Sequence, residues 1–492
     1  MADPASAPVT GKSGSTLSSI LTAIVAMASR ASGQIVVVLV TLVATRFLTP
    51  SAFGMFSLAS IGIALIRSVL WNGAFEYLMK TPDPRAASTE CLIANFLITA
   101  AFSLPLYLFT FLADRLFSTV GIGHLILLLL PSNLLAAVGA WQESLVLRTG
   151  RLRAYYAITF ASEAVSALVA ILLLIDGFGA LGLVAQTYVR NAMVLIAYLA
   201  MRCTIWSAGF SQARLTVVLR WSISRYLSVL VDFGMSYGAD IFLGIFLSPA
   251  AAGLYRASNR IVTAVGDIFA HPINMIARSV FSQRAAAGRD SDDVWPSIFS
   301  AAAVVGWSAL AGVVVTAKMV IPIALGPMWA AAAPLAAVIA VARCGMLIQA
   351  VISALLVSYD RQDRLFLIQC VSTLASLAAL AVVARFGVMA ATVAVACISI
   401  ATSFWMTESA LRVFPASRRL LVMEMPLVLV PLAATVAGAL AIELVLNGMM
   451  LPVTYVLIAT ILSGVACWSL SLVPLRRRFA RAIAALHVAP AG

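Results

Sequence analysis

The stretch FLTPSAFG (Phe47–Gly54) runs on into Met55 and Phe56, and FLSPAAAG (Phe246–Gly253) runs on into Leu254 and Tyr255. Phe, Leu, Pro, Ala and Gly recur at a constant offset of 199, and Thr49 is answered by Ser248. Each copy closes one long apolar run and opens another. Proline fixes φ and gives up a donor while glycine tolerates unusual dihedrals, so each copy reads as a tight re-entry turn between two helices. A Leu-x-Pro-x-x-x-Gly pattern is common in loops, but here the flanking lengths and polarities match as well. The pattern predicts an internal duplication and, with it, a transporter built from two related helical bundles.

Composition fixes the solvent of those bundles. Hydrophobic residues make up 62% of the 492 residues, charged residues only 10%, and the mean hydropathy is +1.04. Soluble domains carry about a quarter charged residues, so the chain is expected to be an all-α integral membrane protein. At about 20 apolar residues per crossing, it divides into about fourteen transmembrane helices. The expected layout is a disordered N-terminus (1–16), a six-helix bundle (17–201), a linker (202–225), a second six-helix bundle (226–408), two extra spans (409–473) and a basic tail (474–492). The net charge of +13 follows this layout, with 22 basic residues in one alternate set of connections and 5 in the other. The positive-inside rule then makes both termini, the linker and the tail cytoplasmic, and leaves no nucleic-acid footprint. Lys12, the following apolar run and Ala26-Met27-Ala28 resemble a secretory signal. The run continues past Arg30 to Val43, however, and only the uncleaved helix matches the helix before the second motif.

The polar residues inside the spans form stripes. Arg30, Gln34, Thr41 and Thr45 share one helical face, Ser57, Ser60 and Arg67 another, and Gln186 and Arg190 stand at i, i+4. Glu163 lies between Thr159 and Ser166, and Asp232, Ser236 and Asp240 recur every fourth residue. The strongest stripe is Arg256, Arg260, Thr263, Asp267, His271 and Asn274. A charge at mid-bilayer costs several kcal/mol, so Arg30, Arg67, Arg190, Arg260 and Arg343 need partners or water. Arg190 with Glu163, and Asp240 with Arg256 or Arg260, are the pairs the order suggests. The arginines outnumber the deep acids Glu163, Asp232 and Asp240. The surplus predicts an anionic substrate in a hydrated cavity, and the guanidinium fork suits phosphate or pyrophosphate. Asp232, Asp240, Glu163, Arg190 and Asp267 are candidates for gating or for coupling to H+ or Na+.

Chemistry of other kinds finds no footing. Cys91, Cys203, Cys344, Cys370, Cys397 and Cys467 lie scattered in apolar runs and read as small core residues. No nucleophile, Walker or zinc pattern occurs, so neither catalytic residue, metal nor cofactor is expected, and the chain reads as a transporter and not an enzyme. IALGPMWAAAAPL (323–335) is expected to be a re-entry on the outer side.

RASGQ (30–34), TRFLTPSAFGMFSLA (45–59), LRTGRLRAYY (147–156) and ALGPMWAAAAPL (324–335) resemble the polysaccharide transporter family. These are Wzx-type flippases of lipid-linked oligosaccharides, grouped with MATE transporters and the lipid II flippase in the MOP superfamily. The resemblance implies a MATE-like fold of fourteen helices in two pseudo-symmetric bundles, alternating access, and a central cavity lined by the first, second, seventh and eighth spans. It places Arg30, Arg67, Arg256 and Arg260 toward the diphosphate and sugar of an undecaprenyl-linked repeat unit in a bacterial inner membrane. Polysaccharide polymerase and export proteins would be its partners, in capsule, O-antigen or exopolysaccharide synthesis. WNGAFEYLMK (71–80) departs from the family pattern. A MATE-like, ion-coupled antiporter of drugs or metabolites is the alternative, and it would favour acidic cavity chemistry.

Overall fold

The computed structural model describes residues 36–484, apart from Thr204, Ser207, Ala208 and Met450. Residues 1–35, which hold the expected disordered start, the signal-like stretch, Arg30 and Gln34, lie outside the described residues. The first half consists of α1 (Val36–Phe47), α2 (Pro50–Leu70), α3 (Ala74–Lys80), α4 (Pro84–Leu116), α5 (Ile122–Leu129), α6 (Ser132–Arg148), α7 (Leu152–Ile175) and α8 (Ala180–Ala200). The second half consists of α9 (Gln212–Phe246), α10 (Pro249–Ala286), α11 (Trp295–Leu325), α12 (Ala332–Ser358), α13 (Gln362–Val383) and α14 (Val388–Val413). Then come α15 (Ser417–Asn447), α16 (Val453–Leu472) and α17 (Arg476–Ala484), and there is no strand among the described residues.

Eleven helical segments are long and apolar enough to cross a membrane, with α2 and α3 counted as one and α5 and α6 as another. α9, bent by 52° between Gly234 and Ser236, makes twelve. The remaining two of the fourteen are α1, described only from Val36, and α10, whose charged face keeps it out of an apolar count. Both nonetheless contribute to the main core: Val40 and Ala44 of α1 and Ala252, Ala257 and Val262 of α10 are buried in it.

The duplicated motif is duplicated in three dimensions. Thr49 caps α2 by accepting the amide of Ala52 at 3.2 Å, and Ser248 caps α10 by accepting the amide of Ala251 at 3.2 Å. Proline follows at the first helical position in both. Such a cap contributes about 1 kcal/mol in water, and an unpaired amide in hydrocarbon costs several kcal/mol. Conservation of the cap within the repeat is thus a condition for turning the chain there.

Three boundaries differ from expectation. The linker does not extend to residue 225, because α9 already starts at Gln212. Leu215, Val218, Leu219 and Tyr226 form an apolar face that packs on the first half, leaving Arg214, Arg220 and Arg225 outside. Buried Glu90 receives the Ser211 amide and Arg214 Nε, both at 3.0 Å, and anchors that start. The second span breaks at Trp71–Gly73. There the Tyr226 hydroxyl accepts the Ala74 amide at 3.1 Å, and a side chain at Gly73 (φ 57°) would run into the Tyr226 ring at 2.2 Å. The departure noted at WNGAFEYLMK is therefore a seat for α9. Finally, α14 runs on past residue 408 to Val413, and the two extra spans start at Ser417. Of the cysteines, Cys91 and Cys203 are buried, but Cys397 faces outward and is not a core residue.

Candidate functional site

A cavity of about 290 Å3 lies where the two halves meet, walled by α1, α2, α7, α8, α9 and α10. On α2 the lining side chains are Phe53, Phe56, Ser60, Ile63, Ala64 and Arg67, one helical face. Ser57, expected on that face, is instead buried, and its carbonyl accepts the Ser60 hydroxyl at 2.8 Å. α10 contributes Arg256 and Arg260, one turn apart, and α8 contributes Gln186 and Arg190.

The charges of this cavity divide into paired and unpaired. Arg190 Nε meets Glu163 Oε1 at 2.7 Å, and Arg256 Nη1 meets Asp240 Oδ2 at 3.2 Å. Arg256 also lies over the Tyr237 ring, 4.5 Å from its centroid. Asp240 thus takes Arg256, while Arg260 donates from Nη1 to the Thr41 hydroxyl at 2.9 Å and so ties α10 to α1. Arg67 lies over the Trp71 ring at 5.5 Å. Among the described residues neither Arg67 nor Arg260 has a carboxylate within 4.0 Å. An ion taken out of water without a partner costs several kcal/mol, so these two guanidinium groups need water or an anion in the space they line.

Behind Arg67 and Arg190 a second chamber, of about 350 Å3, opens into the first bundle. Its floor is Glu143, only 7% exposed, which accepts Trp71 Nε1 at 3.0 Å and the Tyr155 hydroxyl at 3.1 Å. Nothing in the sequence pattern gave Glu143 a role. Its two donors come from WNGAFEYLMK and LRTGRLRAYY, motifs that nothing in the linear order joins.

Other sequence candidates fall elsewhere. Asp232 is exposed on α9, and Asp267 faces His271 at 3.9 Å; neither lines either of these two chambers. The long stripe of α10 splits, because Asn274 donates to the Ala350 carbonyl at 2.7 Å and so packs against α12. Arg30 and Gln34 lie outside the described residues.

At the turn end of the cavity the two repeats touch. A Cβ on Gly54 would fall 1.8 Å from the Pro249 carbonyl oxygen, and one on Gly253 would fall 2.3 Å from the Pro50 carbonyl oxygen. The contact is reciprocal, as a two-fold relation between α2 and α10 demands, and only glycine permits it. The segment 323–335 closes over the same junction. Trp329 Nε1 donates to the Thr45 carbonyl at 2.8 Å and its ring meets Phe53 edge-on at 5.5 Å, while Arg46 reaches the Ile323 carbonyl.

Residues 43–334 match a family model described as polysaccharide biosynthesis protein. A succinoglycan biosynthesis transport protein of Rhizobium meliloti, ExoT, is 24% identical over 242 residues, 48% of each chain, so the match spans about half the length of that relative. Among solved structures the chain is similar to the lipid II flippase MurJ in an inward closed conformation, with a TM-score of 0.74 at 14% identity over 94% of this chain and 100% of that one. It is similar also to an inward-facing multidrug resistance MATE transporter of the MOP superfamily, with a TM-score of 0.62 at 13% identity over 78% and 96% of the two chains. At such identities the likeness is one of fold, the two-bundle membrane arrangement of that superfamily.

Proposed function

The chain belongs to the polysaccharide biosynthesis protein family, and from that premise we propose that it flips an undecaprenyl-diphosphate-linked oligosaccharide repeat unit across a bacterial inner membrane. The observation that carries the reading is the pair Arg67 and Arg260, two guanidinium groups that line one cavity and, among the described residues, have no carboxylate within 4.0 Å. A diphosphate supplies the countercharge they lack, and the planar fork binds its oxygens in pairs. Phe56, on the same lining, offers apolar surface to a sugar ring beside them.

In this reading the head group enters from the cytoplasmic side while its polyprenyl tail stays in lipid. Basic connections at the opposite end of the helices make the Pro-Gly turns the outer end, so the Gly54–Gly253 crossing is the outer seal in an inward-facing state. Binding favours a second arrangement in which that seal parts and the cytoplasmic side closes. Glu163 and Asp240 are each held by an arginine, and in this reading a coupling H+ or Na+ would act on one of these pairs. Exopolysaccharide, capsule or O-antigen assembly would consume the flipped unit.

Arg67→Gln and Arg260→Gln, each expressed in the null strain, are expected to reach the membrane at normal levels and yield no surface polymer. Normal polymer from both variants would reject the diphosphate role. Drug resistance lost in place of polymer would favour the antiporter.

A further inference from the structure

A third cavity, of about 320 Å3, lies wholly within the second half between α9, α10, α12, α13 and α14. α10 is the partition: Arg256 and Arg260 face the central cavity, while Tyr255 and Asn259, each one residue earlier, face this one. The two spaces share no lining residue. Arg343 is the only charged residue that lines it among the described residues. Its Nη2 donates to Asn259 Oδ1 at 3.0 Å and its Nη1 to the Met346 sulfur at 3.1 Å, and neither partner carries charge. Among the described residues no carboxylate stands within 4.0 Å of it. Of the acids on the neighbouring helices, Asp240 pairs with Arg256 at 3.2 Å, Asp232 is exposed, and Asp267, 3.9 Å from His271, acts on Arg343 only from beyond 4.0 Å and does not line the cavity.

The rest of the wall mixes apolar side chains, among them Ile339, Leu377, Leu380 and Val395, with hydroxyl groups and the Gln349 amide. Thr402 and Thr392 give their hydrogens to neighbouring oxygens, but among the described residues the hydroxyls of Ser236, Ser376 and Ser399 donate to nothing. A cation site would need several carboxylate or carbonyl oxygens aimed inward. This wall offers one fixed positive charge and free O–H groups, the reverse arrangement. The volume holds an ion with several waters, each of which takes about 30 Å3.

We propose that this cavity is a binding site for a small inorganic anion, held by Arg343 and the serine hydroxyls and separate from the central cavity. The anion supplies the charge Arg343 lacks inside the bundle, and it braces α12 against α10 through the Arg343–Asn259 bond. Chloride is the probe.

The test uses the purified full chain in nanodiscs. Its thermal unfolding is followed as sodium gluconate is replaced by sodium chloride at constant ionic strength. A saturable rise in Tm of a few degrees is expected for the wild type, following the mass-action stabilisation by a ligand of the folded state. The rise should persist in Arg260→Gln and vanish in Arg343→Gln. Should Arg343→Gln fail to fold, bromide anomalous scattering from wild-type crystals decides, with a peak expected beside Arg343. A Tm indifferent to halide, a halide effect lost in Arg260→Gln but kept in Arg343→Gln, or a bromide peak confined to the central cavity would each overturn the assignment.

Discussion

Replacing Gly54 by alanine should drive the two repeats apart. The new Cβ would stand 1.8 Å from the Pro249 carbonyl oxygen and 2.6 Å from its carbon, both backbone atoms that no rotamer change can move. Real Cβ contacts essentially never fall below 3.0 Å, so α2 and α10 must separate by more than 1 Å at this point. Overpacking of this kind typically costs about 1–3 kcal/mol, and every 1.4 kcal/mol is a factor of about ten in a population ratio. The state with the turns in contact should therefore lose ground by about fivefold to a hundredfold against the state with the turns apart. Spin labels at Phe47→Cys and Phe246→Cys, the exposed and equivalent first positions of the two motifs, report this directly in a background free of the native cysteines. Gly54→Ala should shift the label distance distribution to longer values and lower transport. Gly253→Ala should act in the same direction, and the double variant should add little, because one separation of α2 from α10 relieves both clashes. An unchanged distance distribution together with unchanged unfolding would refute the argument.

The Arg256–Asp240 pair should behave as a unit: Arg256→Met leaves Asp240 buried without its partner and should cost about 3–5 kcal/mol, whereas adding Asp240→Asn should restore most of the stability. Thermal unfolding of the two variants checks this, and a double variant no more stable than the single would contradict it. Trp329→Phe keeps the edge-on contact with Phe53 but loses the bond to the Thr45 carbonyl, and should cost about 1 kcal/mol. Trp329→Ala, which empties a fully buried site, should cost about 3–5 kcal/mol in the same measurement.

The duplication could be read because a turn between two membrane helices requires particular residues, namely a cap oxygen, a proline and a glycine. What the linear order could not show is that the two glycines need each other. The arginines of α10 were legible because a charge on an otherwise apolar helix is costly and must face something. A stripe fixes a face but not its neighbour, however. Asp232 and Asp267 sit on stripes that bend away at the 52° break of α9 or turn to His271. Glu143 left no signal, since its donors Trp71 and Tyr155 are brought to it only by the break at Gly73 and the packing of α6 against α7. The start of α9 was hidden by its basic residues, which mark a cytoplasmic segment equally well as a loop or as a helix with one apolar face.

The most direct test of the proposed transport is to delete the gene in its own organism, extract the lipid-linked intermediates and determine which membrane face holds them. Accumulation of an undecaprenyl-diphosphate oligosaccharide on the inner face, with loss of surface polymer, is the predicted result, and the mass of the intermediate would identify the glycan. Intact polymer with no accumulated intermediate would contradict it.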